Sequence, residues 1–319
     1  MKDSYKGRGL HSPKWEIELC KGGKLYDLLK IVKSDEDLVI EIRNDYFNIY
    51  YKGGNMARVA SANSFQFDSN YYKGYQRPDY ESKEQEDARK ALRKDLLKRL
   101  KETRDYNGFV RFMKCLMNDY WTWLKEERGA SLHEKDVQHS LCISNTEDSE
   151  YTIIDVEFEV STRSDYKYER PNCPKNRSVA DDKISPRFDI IAVRNSDHQL
   201  CVIELKSGDK ALSGKSGIGD HADSFEGTIG RKPHAFMKEI LGVIKDKKFY
   251  GLLKKDFMVS ENPPEFMYAY SFYENGKKSK NEQKTLFLKE MENMHCEQYK
   301  VMFLEEGDYT LSDKWIVAK

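Results

Sequence analysis

The period of the apolar and polar positions changes along the chain. From Trp15 to about Phe67 it is mostly two-fold, the period of a strand whose side chains point alternately to opposite faces. Trp15-Glu-Ile-Glu-Leu-Cys20 alternates and reads as a strand, and Lys24 to Val32 as a short helix. Leu38 to Arg43, Phe47 to Tyr51, Met56 to Val59 and Ser64 to Phe67 read as further strands. Gly53-Gly54-Asn55 supplies a turn between the second and third of these. The segment predicts a small antiparallel sheet of about four or five strands with one solvated face. Its aromatics Tyr46, Phe47, Tyr50 and Tyr51, with Lys52 and Arg58 nearby, fit either a base-stacking platform or a sheet core. The core is favoured, because aromatic residues are good strand formers.

From Glu81 the apolar spacing lengthens to three and four. Ala88, Ala91, Leu92, Leu96, Leu97 and Leu100 mark a helix to Glu102 with a narrow buried stripe. Its dense charge reads as a solvated face rather than a DNA contact, because acids and bases are interspersed. Asn107-Gly108 reads as the break before a second amphipathic helix, Phe109 to Glu127. Ser131 and Glu134 have capping-box spacing and open another helix, to Leu141. Tyr151 to Val160 is a strand, strictly alternating from Ile154. Ser185 to Gly208 holds two short apolar runs around Asn195-Ser-Asp-His198, a hairpin signature. A helical piece near Asp220–Phe225, a helix from Pro233 to Leu253, a strand from Phe266 to Phe272 and a helix from Asn281 to Met294 follow. The strand Tyr299 to Leu304 and a short piece near Trp315–Val317 end the series. Asn70 to Asp79 reads as a linker, and Arg163 to Lys183 as a long loop of a kind often functional. The division is a β-rich module over 1–75, a helical bridge over 76–130 and an α/β domain over 131–319.

Composition narrows the classes. At roughly 150 residues per domain, 319 residues imply two domains. An aromatic share of 12% argues against disorder. Lys+Arg and Asp+Glu both number 54, so net charge gives no push toward nucleic acid, although a local basic groove remains compatible. The six cysteines lack zinc-ribbon or thioredoxin spacing. The first residues lack the apolar core of a signal peptide. No stretch approaches the ~20 apolar residues of a membrane span. A cytoplasmic protein with reduced thiols and no membrane partner is the expectation.

Charge inside the hairpin strands carries the chemistry. Asp189 stands in Phe-Asp-Ile-Ile-Ala-Val, and Glu204 and Lys206 in Val-Ile-Glu-Leu-Lys. Such residues are rarely buried without partners. Glu204 and Lys206 are two apart and share a strand face. A two-residue turn at Ser196-Asp197 sets Asp189 opposite Glu204, with Cβ atoms roughly 4.5–5.5 Å apart. Two carboxylates that close repel unless a cation lies between them. The pattern sketches a divalent-metal site with a lysine beside it.

Pro186-Arg-Phe-Asp189, followed fifteen residues later by Glu204-Leu-Lys206, resembles the PD-(D/E)XK nuclease superfamily. Arg187 and Phe188 between proline and aspartate are a small departure from its fingerprint. Ile203 to Gly208 with Ala211 to His221 looks like a bacterial subgroup of it. The resemblance spans residues 131–305 and leaves the N-terminal sheet outside. It implies an α/β fold, a restriction-endonuclease-like mixed sheet flanked by helices, beside the small β-rich domain. It implies Asp189 and Glu204 as ligands of Mg²⁺ or Mn²⁺, helped by the Leu205 carbonyl, with Lys206 holding water and offsetting charge. It also implies an acid from the first core helix. Glu134 is the candidate, although the capping box explains it equally, and Glu157 and Glu159 are rivals. Gln138, one turn on, and Lys210 and Lys215 are candidate nucleic-acid contacts. The implied activity is hydrolysis of nucleic-acid phosphodiesters, DNA before RNA, in defence or repair by analogy alone. The alternative is a catalytically inactive nuclease-fold module that binds nucleic acid or protein. A homo-oligomer or a larger complex is compatible with either.

Two neighbouring features are set aside. Gly208 to Ser216 looks like a phosphate-binding P-loop but has five residues between its glycines where that motif has four. Asp220-His221 reads as a helix-capping aspartate in preference to an addition to the site.

Overall fold

Trp15 and Leu19, four residues apart, are both buried, while Ile17 between them is 73% exposed. That is helical spacing. Lys14–Leu19 is therefore helix α1, and the strand expected here is corrected. Six alternating residues satisfy either period; a tertiary contact decides, the Trp15 indole donating to Asp45 Oδ1 at 2.7 Å. The computed structural model describes residues 7–68, 71, 82–128, 133–169, 185–208, 211–213, 217–272, 278–305 and 307–317. The chain is mixed α/β and divides into two units, Arg8–Asp136 and Val137–Lys319 with the first seven residues. Among the described residues no helix is long and apolar enough to cross a membrane.

In the N-terminal unit, α2 (Tyr26–Ser34) precedes four antiparallel strands in order along the sheet. They are β1 (Leu38–Ile42), β2 (Phe47–Tyr51), β3 (Gly54–Ser61) and β4 (Ser64–Gln66). The turn before β3 is Lys52-Gly53, both at positive φ, the conformation a two-residue hairpin requires. Gly54 admits close approach of a helix: a Cβ there would stand 2.7 Å from Trp121. The expected solvated face is present only on the β3–β4 side, where Arg58, Ser64 and Gln66 are exposed. All five β2 residues are buried, as are Glu41 of β1 and Arg43 just after it. The tyrosines form no open stacking platform either: Tyr50 and Tyr51 are buried, and Arg58 already lies 3.7 Å over the Tyr46 ring.

The helices α3 (Lys83–Thr103) and α4 (Tyr106–Arg128) fall in this same unit, where α4 packs on α2 and β3. Val110, Met113, Met117 and Trp121 form its buried stripe. The helix break lies earlier than Asn107-Gly108. Arg104 takes positive φ, and Asp105 caps α4 by accepting from the Gly108 N–H at 2.8 Å.

The C-terminal unit takes in most of α5 (His133–Ser144) and six strands in the order β10-β9-β8-β7-β6-β5. β5 (Tyr151–Glu159), β6 (Arg187–Arg194) and β7 (Gln199–Ser207) form an antiparallel meander. β8 (Glu265–Ser271) runs parallel to β7, and β9 (Lys300–Leu304) parallel to β8. Parallel neighbours need crossovers. The first is α6 (Ile218–Phe225), a π-helical turn (Glu226–Gly230) and α7 (Pro233–Phe249). The second is α8 (Lys280–Asn293), opened by a capping box of Ser279 and Glu282. β10 (Ile316–Val317) pairs antiparallel with β9.

Phe236 of α7 meets Phe158 of β5 edge-on, and Phe287 of α8 packs on Tyr268 and Tyr270 of β8. β7 is buried over its first eight residues, as a strand in the middle of a covered sheet must be. β5 carries an irregularity between Ile153 and Asp155. The Ile154 carbonyl accepts from the buried Lys247 ammonium, and Glu157 takes a left-handed φ of 49°.

Candidate active site

The hairpin expected over Ser185–Gly208 is present, with a four-residue turn, Asn195–His198, in place of two. The register keeps the same centre, because Arg194 pairs with Gln199 and Ile190 with Ile203. One further step would set Asp189 opposite Glu204. The ladder stops there, and the Asp189 carboxylate takes over from the backbone: Oδ2 accepts from the Leu205 N–H at 2.9 Å. Asp189 is held from its other side by Gln138 of α5, whose amide donates to the Asp189 carbonyl at 3.1 Å.

Glu204 and Lys206 pair in register with Tyr268 and Tyr270 of β8, deep in the sheet. Their side chains are 2% and 5% exposed, and Lys206 Nζ donates to Glu204 Oε1 at 2.9 Å. A buried pair of this kind is costly to desolvate and is weak evidence of stability in itself. α6 covers the same face, and the Tyr268 hydroxyl donates to the Ile218 carbonyl at 2.7 Å where this helix begins. One turn on, His221 Nδ1 lies 2.8 Å from the same Glu204 Oε1. Burial, the strongest influence, pushes the Glu204 carboxyl up; His221 and Lys206 together outweigh it and bring it down to about 2. Within this cluster two buried atoms keep no hydrogen-bond partner: Glu204 Oε2 and His221 Nε2.

Asp189, Glu204 and Lys206 are thus brought to the open end of one hairpin, with Gln138 supporting Asp189. Gln138 is buried with its amide committed inward, a positioning contact where the sequence suggests a nucleic-acid contact. Glu134 is exposed in the first turn of α5 and belongs to the N-terminal unit. Glu157 is half-buried, with Arg187 at 4.0 Å, and Glu159 is exposed. Lys210 and Lys215, and Ser131 of the expected capping box, lie outside the described residues. Asp220 does not cap α6. The N-cap is Gly217, and Asp220 is buried within the first turn. Its neighbour His221 is the residue that sequence reasoning passed over; the only signal was a histidine on the helix after Glu204-Leu-Lys206.

Among the described residues, no group of three or more His, Cys, Asp and Glu side chains is gathered as a metal cage. A hard cation of the Mg²⁺ type needs less, one or two carboxylates with water completing the shell. The unpartnered buried oxygen of Glu204 fits that requirement, with Asp189 on the adjoining strand. Comparisons of the chain with family models, with curated proteins and with solved structures give no match.

Proposed function

We propose that the C-terminal unit is a restriction-endonuclease-like domain that hydrolyses nucleic-acid phosphodiesters, DNA in preference to RNA, with Mg²⁺ or Mn²⁺. The observation that carries this reading is the buried Glu204–Lys206 pair on a central strand, with Asp189 bridging the hairpin beside it. A folded chain gains little from burying such a pair, so its presence points to use. The order of strands supports the reading, with an antiparallel meander continued by a parallel strand after a helical crossover.

Asp189 and Glu204 would hold the cation, which when bound supplies Lewis-acid polarisation of the phosphate. Glu204 remains ionised through the neutral range and offers Oε2. Asp189 is steadied by the Leu205 N–H and by Gln138. Lys206 spends one of its three N–H donors on Glu204. The other two can orient the attacking water and offset the charge that develops on the phosphate oxygens.

The test is incubation of the purified protein with supercoiled, linear and single-stranded DNA and with RNA, in Mg²⁺, Mn²⁺ or EDTA. Cleavage should need the metal, and Lys206→Gln should slow it by about a hundredfold or more. Cleavage that persists in EDTA or in the variant would overturn the site. Metal-independent binding without cleavage by the wild type would make the domain a binding module.

A further inference from the structure

Glu204 has two carboxylate oxygens in unequal circumstances. Oε1 receives Lys206 at 2.9 Å and His221 at 2.8 Å, which fills the two acceptor sites of that oxygen. Oε2 is buried and receives nothing. Such an orphan is rare in a folded chain and marks a place for water or an ion. Lys206 alone could swing between the oxygens, because an ammonium on a four-carbon stem is a mobile point charge. His221 cannot: it is rooted on α6, whose first residue is tied to Tyr268. A carboxylate oxygen accepts, so Nδ1 donates, and this contact orients the imidazole ring.

We propose that His221 is a positioning residue for the metal site, pinning Glu204 through Nδ1 so that Oε2 is the oxygen left for the cation. The inference rests on the metal reading of Glu204. It adds a residue from the crossover helix to a site otherwise built from two strands. The arrangement is that of a ligand oriented by a partner behind it, and loss of such partners typically weakens metal binding 10–100-fold.

The test uses Mn²⁺ titration of the full chain, with free ion followed by electron paramagnetic resonance. His221→Ala and His221→Gln should weaken binding roughly 10–100-fold. His221→Asn, whose amide nitrogen stands where Nδ1 stood, should restore it. Melting curves in EDTA establish that each variant is folded. Independently of metal, long-range ¹⁵N–¹H spectra of the wild type should show His221 with its proton on Nδ1. Affinity unchanged in the alanine variant, failure of the asparagine variant to rescue, or an Nε2–H tautomer would each overturn the proposal. Mn²⁺ binding abolished by Glu204→Gln but untouched by His221→Ala sinks this inference and leaves the metal reading standing. A wild type that binds no Mn²⁺ sinks both.

Discussion

The two ends of the β6–β7 hairpin are both charged, and they treat charge differently. At the turn end, Arg194 makes two bonds to Asp197 and two to Glu265, and Lys300 adds another to Glu265. Both oxygens of both carboxylates are taken, and Asp197 is 52% exposed. At the open end, Glu204 is almost wholly enclosed, one of its oxygens is doubly bonded and the other has no partner. The first cluster is complete and acts as a clasp on the turn. The second has capacity left over. Saturation, more than the presence of charge, separates a fastening from a site on one pair of strands.

The largest effect that could break this contrast comes from removing charge at the open end. Glu204→Gln alone leaves Lys206 buried without its counter-charge and should cost about 3–5 kcal/mol in urea unfolding. Replacing both residues by methionine should be nearly neutral or stabilising while abolishing cleavage. A double variant that unfolds as readily as the single one would show the pair to be a structural fastening after all.

A smaller effect sharpens the comparison through pH. The folded Glu204 carboxyl is depressed from 4.5 to about 2, with burial opposing and His221 and Lys206 prevailing. A depressed carboxylate stabilises the fold above its unfolded value and loses that contribution as pH falls through the folded one. Stability on the order of 3 kcal/mol should therefore drain between about pH 4.5 and 2. The gap between wild type and Glu204→Gln should narrow over that window, as read by denaturant titration at several pH values. The smallest effect belongs to the turn end. Arg194→Ala should cost about 1–2 kcal/mol and leave cleavage and Mn²⁺ affinity unchanged.

The hairpin was legible because its evidence is local. Two apolar runs around a polar turn fix a register centre, and Asp189, Glu204 and Lys206 follow from counting outward. Longer turn or shorter, the centre is the same. α1 was misread because Trp15 to Cys20 is too short to separate two periods, and the exposure of Ile17 is a tertiary outcome. The burial of Glu41 in the first sheet and of Arg43 just beyond its first strand is also tertiary, invisible in alternating charge. His221 was set aside, with Asp220, for a related reason. Nothing in Gly217-Ile-Gly-Asp-His221 says that the crossover helix returns over β7, yet that return joins residues seventeen positions apart.

The outermost strands of the C-terminal sheet bear on behaviour at high concentration. A sheet's rim is a template on which a second molecule can add a strand. Here one rim is β10, only two residues long. The other is β5, whose run is kinked near Ile154, turned left-handed at Glu157 and studded with two glutamates. Neither offers the long, flat, uncharged row that fibre growth requires. Both rims thus carry features that disfavour addition of a strand from a second copy.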